Sequence, residues 1–393
     1  MRILIILFCT LSFLSAQSFE TVIQQLERTP VEQRKKLIEQ YLNTKRFSPI
    51  IEKDSILHFV LYGMADSVSV NGNLQFWNEP VPMKKIPCGP FSFFYRTFIV
   101  PPDARLDYQL IVNGKYITDP QNPRITPSGF GPHSEVQMPK FVPTPYIFHR
   151  PEIQHGSIDS LAPLMDIPSP LHRYIPARRS IKIYRPAGYD TLSGLPVLYV
   201  HDGFEAIDLA YVPAMLDNLI ADGKIEPVIA VFIPPVDRGG EYAGSRRDQF
   251  VSYLADEIVP LIDHLYRTAR VPEKRAMTGI SAGGQISLYT VLKRPDVFLK
   301  VGSQSSSLPS SLRLLAEQQS RSSRLPTNLK LYMDCGRYDI RNEEIDFLAE
   351  HRSFSDLLSS LRIPHYYREV NDGHEWASWR ERMPEMFIYF FGR

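Results

Sequence analysis

The amino-acid sequence predicts an α/β domain built on a mostly parallel sheet, preceded by a smaller β-sandwich. In the C-terminal part, short apolar runs alternate with helical stretches, which is the rhythm of a parallel sheet covered by helices. In the N-terminal part, short runs rich in β-branched and aromatic residues are separated by turn signals. At 393 residues, 44% of them apolar, the chain is long enough for two compact domains.

Residues 1–16 have the pattern of a secretory signal peptide. Arg2 precedes an apolar run from Ile3 to Leu14, and small residues follow at Ser15 and Ala16. The run is short for a membrane span. We therefore expect cleavage near Ala16 and export, either to the periplasm or out of the cell, with no membrane insertion after the signal is removed.

Residues 17–49 are predicted to form a helical segment. Apolar and charged residues alternate at helical spacing from Phe19 to about Lys45. Thr29 stands before Pro30 and Glu32, which is the order of an N-cap, a first-turn proline and a capping acid. We therefore expect Thr29 to begin a helix.

Residues 50–140 are predicted to form the β-sandwich. Asn71-Gly72 and Asn113-Gly114 each follow a strand-like run, and Asn-Gly accepts the positive φ of tight hairpins. Residues 141–155 contain three prolines and little periodicity, so we expect a linker there. The strand-like runs are Ile56–Tyr62, Ser67–Val70 and Tyr108–Val112.

Residues 156–393 are predicted to form the α/β domain. Apolar positions between Val251 and Leu265 recur at the spacing of one helix face, which we expect to pack on the sheet. The predicted parallel strands are Leu195–Val200, Val228–Ile233, Arg275–Thr278, Val301–Ser303 and Leu329–Met333.

The pentapeptide Gly279-Ile280-Ser281-Ala282-Gly283 joins a predicted strand to a predicted helix. G-x-S-x-G in that context is typical of a nucleophilic serine on a strained turn, where larger side chains would crowd the strand and the helix. An ordinary glycine-rich turn is the alternative. We interpret Ser281 as the nucleophile.

A nucleophilic serine needs a histidine that accepts its proton. His374 follows Asn371-Asp372-Gly373 on a predicted loop, where catalytic groups are common. His351 lies in a helical run and His365 opens a strand, so both are weaker candidates. We therefore predict that His374 is the base.

The acid that orients this histidine is expected on the loop after the Leu329–Met333 strand. Asp334 ends the strand directly. Asp339 follows Gly336-Arg337-Tyr338, which leaves room for its carboxylate to reach a histidine loop. Glu343 and Glu344 are also possible on position alone. Asp339 is the preferred acid, and the order serine, acid, histidine is that of an α/β-hydrolase.

The oxyanion hole of such a site consists of two backbone N–H groups. Ala282, directly after the nucleophile, supplies one of them. The other is expected from Gly203 or Phe204, in the loop after the strand that ends near Val200. A plain turn is the alternative for that loop.

Composition excludes several other classes of function. The 44 basic and 43 acidic side chains give a net charge of +1, so there is no broad positive field for nucleic acid. Only Cys88 and Cys335 remain after signal cleavage, too few for a disulfide framework. Histidines and cysteines do not cluster at ligand spacing, so we expect neither a metal nor another cofactor.

Taken together, these segments resemble the enterochelin esterase family within the esterase D-like α/β-hydrolases. The resemblance implies that Ser281, Asp339 and His374 are nucleophile, acid and base. It also implies that the N-terminal sandwich is an immunoglobulin-like early-set domain. The segments that carry the resemblance are His201–Gly203, Gly279–Gly283, Cys335–Asp339 and Gly373–Trp376, with Asp119–Pro123 and Gly129–Gly131 in the sandwich.

The resemblance implies a small ester as substrate, and a catecholate siderophore first. Arg238, Tyr242 and Arg246, together with Arg247, are expected to form a cationic rim for such an anion. Trp376 beside the base is expected to wall an aromatic acyl pocket, with core packing as the alternative.

The expected export differs from the cytosolic release of iron that is usual for such esterases, so feruloyl or acetyl esters linked to polysaccharide are an alternative substrate. An acyltransferase would use the same serine with an alcohol acceptor instead of water. A glycan-binding protein with an inactive hydrolase domain is the third alternative, with Trp77 and Tyr116 as stacking platforms. The sequence does not indicate an oligomeric state.

Overall fold

The computed structural model describes residues 17–45, 47–161, 179–322 and 324–393. The predicted signal peptide therefore lies outside the described residues. The chain divides into two compact units, one formed by residues 1–142 with 371–373 and the other by 143–370 with 374–393.

Two helices, α1 (Phe19–Arg28) and α2 (Val31–Asn43), open the described part of the chain. The prediction that Thr29 caps the second helix is wrong. Thr29 ends α1 instead, because its hydroxyl donates a hydrogen bond back to the Gln25 carbonyl at 2.7 Å. The buried side chains of the two helices pack with the first sheet of the same unit; they are Phe19, Val22, Ile23, Leu26, Ile38 and Tyr41.

Two antiparallel sheets form the rest of the first unit. One has the strand order β1-β2-β6-β5, and the other has the order β4-β3-β7-β10-β9 with β8 paired to β7. The strands are β1 (Ile50–Glu52), β2 (Ile56–Gly63), β3 (Val68–Gly72), β4 (Val81–Pro82), β5 (Lys84–Cys88), β6 (Phe91–Ile99), β7 (Arg105–Val112), β8 (Lys115–Ile117), β9 (Ile125–Ser128) and β10 (Gly131–Gln137).

The two Asn-Gly pairs behave differently. Asn113 and Gly114 have φ of 49° and 79° and form the two-residue hairpin between β7 and β8, as predicted. Asn71 and Gly72 lie inside β3, so the second predicted hairpin is wrong. Gly72 is needed there for close packing, since a Cβ would lie 2.3 Å from the Asp107 carbonyl oxygen.

The second unit is built on an eight-stranded sheet with the order β11-β12-β14-β13-β15-β16-β17-β18. Neighbouring strands run parallel from β14 through β13, β15 and β16 to β17. At one side of the sheet, β12 pairs antiparallel with β14, and β11 pairs antiparallel with β12. The strands are β11 (Ser157–Leu161), β12 (Ile181–Arg185), β13 (Val197–His201), β14 (Ile229–Ile233), β15 (Arg275–Ile280), β16 (Lys300–Gln304), β17 (Lys330–Tyr338) and β18 (Tyr366–Gly373).

Both faces of this sheet are covered. Alternate residues of one strand enter different cores: Val197 and Tyr199 belong to one, and Leu198 and Val200 to the other. This is the layered α/β-hydrolase-like architecture that the sequence predicts. The helices are α3 (Gly203–Asp208), α4 (Val212–Ala221), α5 (Arg238–Tyr242), α6 (Arg247–Tyr253), α7 (Val259–Leu265), α8 (Ala282–Lys293), α9 (Ser310–Arg321), α10 (Phe347–Ser360) and α11 (Trp376–Phe391).

The predicted helix from Val251 to Leu265 is interrupted. A π-helical turn, Leu254–Ile258, separates α6 from α7. Pro260 lies in the first turn of α7, and a proline ring clashes with the carbonyl four residues earlier in a regular helix. The wider π turn is consistent with relief of that clash. Among the described residues, none of the helices combines the length and the apolar character that crossing a membrane requires.

Candidate active site

Ser281 stands on the sharp turn between β15 and α8. Its backbone has φ 52° and ψ −126°, a strained conformation for a residue other than glycine. Its N–H donates to the Gln304 carbonyl at 2.9 Å, which ties the turn to the end of β16. The hydroxyl makes no capping hydrogen bond to α8.

The glycines of the motif are required by close packing. A Cβ on Gly279 would lie 2.4 Å from the backbone carbon of Gly283. A Cβ on Gly283 would lie 2.7 Å from a carboxylate oxygen of Asp202, in the predicted oxyanion loop. The sequence therefore uses glycine where strand, helix and oxyanion loop approach each other.

His374 directly follows β18, and its Nδ1 lies 2.6 Å from Oδ1 of Asp339, which follows β17. The side chain of His374 is 16% exposed and that of Asp339 is 1% exposed. The rings of Trp379 and Phe347 meet the imidazole edge-on, with centroids 4.7 Å and 5.5 Å away. These contacts orient the imidazole, and with Nδ1 engaged by Asp339 the nitrogen that remains for proton transfer is Nε2.

Asp339 is held as a carboxylate. Burial by itself raises the pKa of Asp339, but the attraction of His374 and hydrogen bonds from His374, Ser305 and the Ile340 amide outweigh it. The pKa is therefore well below its ordinary value. An ionised Asp339 accepts the hydrogen of His374 Nδ1, which fixes the tautomer with its lone pair on Nε2.

The rival acid and bases are engaged elsewhere. Asp334 is fully buried and accepts hydrogen bonds from Arg382 Nη1 at 2.8 Å and from Gln304 Nε2 at 3.1 Å. His351 contacts the Phe347 carbonyl through Nδ1, and its Nε2 faces the backbone N–H of Ser306. His365 contacts a serine hydroxyl and a backbone carbonyl. Glu343 and Glu344 are exposed.

The predicted oxyanion donors begin two helices. Ala282 is the first residue of α8, and Gly203 and Phe204 are the first two residues of α3, so their N–H groups have no acceptor within their helices. Gly203 is glycine for a packing reason, since a Cβ there would lie 2.4 Å from the Ile233 amide nitrogen on β14. Asp202, at φ 50°, turns the chain into α3.

The predicted cationic rim differs from its expected form. Arg238 donates two hydrogen bonds to the Asp202 carboxylate, at 2.8 and 2.9 Å, and Arg246 is paired with Asp237. Tyr242 is completely buried, and its hydroxyl accepts a hydrogen bond from the Asp202 amide. Its position in the core is inconsistent with a rim contact. The charges of the two arginines hold the protein's own carboxylates, Asp202 in the oxyanion loop among them.

Trp376 is 7% exposed and meets Trp379 edge-on at 5.5 Å, within the core beneath α11. This favours the core-packing alternative for Trp376 over a pocket wall. Direct contact of Trp376, Arg238 or Arg246 with substrate stays a prediction. Sequence reasoning did not find that Arg382 is the partner of the rival acid Asp334.

His201, beside the oxyanion loop, is expected to make the stability of the protein sensitive to acid. Burial, followed by the charges of Arg179 and Arg238, lowers the pKa of His201 to about 3, and neither ring nitrogen has a hydrogen-bond partner among the described residues. Between pH 6.5 and 3 only the unfolded chain binds the extra proton. Folding free energy is therefore lost as the pH falls through that window, by up to about 1.4 kcal/mol per pH unit.

We expect the His201→Phe variant to lose less stability than the parent protein between pH 7.5 and pH 4.5. Urea unfolding midpoints at the two pH values measure the difference. The exposed His264 on α7 offers a control, and His264→Gln should keep the parent's pH dependence. Equal pH dependence in His201→Phe and the parent would contradict the assignment of this acid sensitivity to His201.

Comparisons with known proteins agree with this architecture. The family model described as putative esterase matches residues 173–390. YbbA of Bacillus subtilis is 30% identical over 181 residues, which are 42% of this chain and 71% of that protein. An endo-1,4-beta-xylanase/feruloyl esterase of Xylanibacter ruminicola is 27% identical over 207 residues, which are 49% of this chain and 27% of that protein.

Solved structures share the fold at low sequence identity. The enterobactin esterase of Shigella flexneri aligns with a TM-score of 0.70 at 18% identity, covering 89% of this chain and 97% of its own. The ferulic acid esterase of Anaeromyces mucronatus aligns with a TM-score of 0.50 at 19% identity, covering 64% of this chain and 96% of its own. The first alignment thus extends over most of the chain.

Proposed function

This chain belongs to the putative esterase family and is a carboxylic ester hydrolase, and we propose that it acts through Ser281, Asp339 and His374 by way of an acyl-enzyme. The observation that carries this proposal is the 2.6 Å contact between His374 and Asp339, in the same unit as a serine on a strained strand-to-helix turn. A nucleophile, an acid and a base in this chain order are the elements of a hydrolytic triad of the α/β-hydrolase type.

The proposed reaction has two stages. His374 Nε2 takes the proton of the Ser281 hydroxyl as the oxygen attacks the ester carbonyl, and Asp339 stabilises the imidazolium that forms. His374 then gives that proton to the leaving alcohol. Water, activated by the same imidazole, hydrolyses the acyl-enzyme and restores the free hydroxyl.

Backbone N–H groups at two helix starts are the proposed oxyanion donors. Ala282 supplies the first, and Gly203 or Phe204 supplies the second. The bidentate contact between Arg238 and Asp202 supports this role, because it fixes the residue directly before Gly203. A fixed donor needs no reorganisation as negative charge develops on the carbonyl oxygen.

The proposed substrates are esters of the kinds named for the structural and sequence relatives. A catecholate siderophore ester is the first, on the alignment with the enterobactin esterase over 89% of this chain. A feruloyl ester linked to polysaccharide is the second, on the match to the xylanase/feruloyl esterase, and an acetyl ester is kept from the sequence analysis as its variant. We further propose that the enzyme is exported, because residues 1–16 have the pattern of a secretory signal peptide. The antiparallel sheets of the first unit are proposed to form an immunoglobulin-like early-set domain.

A fluorophosphonate probe tests the mechanism. We expect the purified protein to be labelled on Ser281 and to lose that labelling in the His374→Ala variant, because the hydroxyl is a weak nucleophile without its base. Peptide mass spectrometry locates the label. His365→Ala is the control, since His365 is engaged by Ser355 and the Ile363 carbonyl. Labelling elsewhere than Ser281, or unchanged labelling in His374→Ala, would refute the proposed triad.

The substrate is tested separately, with unlabelled protein from a preparation that the probe has shown to be active. Enterobactin, methyl ferulate and acetylated xylan are compared by kcat/KM, each with and without an alcohol acceptor. Transfer of the acyl group to the alcohol in preference to water would identify an acyltransferase. Binding of xylan with no turnover of any ester would identify a glycan-binding protein instead.

A further inference from the structure

A buried carboxylate lies beside the proposed oxyanion donors. Asp202 directly precedes Gly203 and Phe204, and its side chain is only 5% exposed. On the nucleophile side, Gly283 approaches it so closely that a Cβ there would lie 2.7 Å from Asp202 Oδ2. An uncompensated negative charge at this place would oppose the oxyanion, because like charges repel more strongly where water is excluded.

The position of Asp202 gives its carboxylate a second way to obstruct the site. The residue before a helix ordinarily accepts, through its side-chain oxygen, the N–H of the second or third helical residue. In α3 those residues are Phe204 and Glu205. Within the described chain, the Asp202 carboxylate makes no such bond to α3. The Phe204 N–H, one of the proposed oxyanion donors, is therefore not occupied by it.

The backbone of Asp202 departs from that of an ordinary capping residue in the same direction. Its φ of 50° and ψ of 47° are left-handed, whereas a capping residue usually has extended backbone. Aspartate tolerates the left-handed region better than most residues, but still at a cost. Contacts elsewhere must therefore hold Asp202 in this conformation.

The short helix α5 supplies those contacts. Arg238 Nε donates to Asp202 Oδ1 at 2.8 Å and Arg238 Nη2 donates to Asp202 Oδ2 at 2.9 Å, so both carboxylate oxygens are engaged by one planar guanidinium. Tyr242, one turn further along α5, accepts the Asp202 N–H at 3.2 Å. The helix thus fixes both the carboxylate and the backbone of Asp202.

We propose that Arg238 is a positioning residue that neutralises the Asp202 carboxylate and holds it away from the N–H groups of the oxyanion loop. This inference rests on the proposed roles of Ser281 and of the oxyanion donors. It differs from the predicted contact between Arg238 and an anionic substrate, because it requires no charge on the substrate. A neutral ester therefore distinguishes the two roles.

Two substitutions test the proposal with p-nitrophenyl acetate, which is neutral. Arg238→Gln frees the carboxylate, and we expect kcat about 10- to 100-fold below the parent with KM unchanged. Asp202→Gly removes the carboxylate and accepts the left-handed backbone without strain. The double variant Arg238→Gln/Asp202→Gly should therefore hydrolyse the ester faster than Arg238→Gln alone.

The thiono analogue of this ester, in which sulfur replaces the carbonyl oxygen, supplies a readout that a merely structural role would not move. Sulfur is larger than oxygen and accepts weaker hydrogen bonds, so donors placed for an oxyanion favour the oxygen ester. We expect the ratio of kcat/KM for the ester to that for its thiono analogue to fall in Arg238→Gln. The double variant should recover part of this ratio.

Arg352→Gln is the matched control. Arg352 makes the same kind of bidentate contact, with Glu369 at 2.6 and 2.7 Å, and is similarly exposed, but it joins α10 to β18. This variant should keep the parent's kcat and ratio.

An Arg238→Gln variant with the parent's kcat and ratio would overturn the inference, as would a double variant no faster than Arg238→Gln. A rise in KM confined to anionic esters would assign Arg238 to substrate binding and overturn it as well. Absence of hydrolysis and of probe labelling in the parent protein would instead refute the proposed function.

Discussion

Replacing Ser281 by alanine is expected to lower kcat for ester hydrolysis by a factor on the order of 10⁵ to 10⁶, because it removes the atom that forms the acyl-enzyme. The fold should persist, since the hydroxyl does not cap α8. Initial-rate kinetics with p-nitrophenyl acetate measures the loss. Stopped-flow recording of the parent should also show a burst of p-nitrophenol when hydrolysis of the acyl-enzyme is the slower stage.

Ser287 offers a matched control for this variant. Ser287 lies on α8, the helix that begins directly after Ser281; it is fully buried and donates a hydrogen bond to the Gly283 carbonyl at 2.8 Å. Ser287→Ala should therefore lose about 1 kcal/mol of stability and keep its esterase activity. A Ser281→Ala protein that retains the parent's kcat would show that another residue is the nucleophile.

The Asp339→Asn and Asp334→Asn variants are expected to fail in different ways. Asp339→Asn should fold and lose about 10⁴-fold in kcat, because an amide can donate to Nδ1 and so stabilise the wrong tautomer of His374. Asp334→Asn should instead lose about 3 to 5 kcal/mol of stability, since it breaks the buried ion pair between Asp334 and Arg382.

Urea unfolding and steady-state kinetics on both variants distinguish the two roles. The expected pattern is a large kinetic defect with modest destabilisation for Asp339→Asn, and a large destabilisation with a much smaller kinetic defect for Asp334→Asn. The reverse pattern would make Asp334 the acid of the triad. It would also contradict the placement of Asp339 at 2.6 Å from His374.

Local turn chemistry explains which secondary elements could be read from the sequence. Asn113-Gly114 forms a hairpin because both residues accept positive φ, and the hairpin needs only its two flanking strands. Asn71-Gly72 carries the same local signal, yet the close approach of β7 places it inside a strand. Thr29 likewise hydrogen-bonds to the helix before it instead of the one after it.

The sequence by itself determined the α/β-hydrolase-like architecture, the motif around Ser281 and a preference for Asp339 with His374, because these depend on periodicity and on residues adjacent in the chain. Only the tertiary structure decided that Tyr242 is buried against the Asp202 amide and that Asp334 pairs with Arg382. The contacts of Tyr242 and Arg382 join residues 40 and 48 positions apart. A buried polar group takes whichever partner the packed core brings to it, and no local pattern encodes that choice.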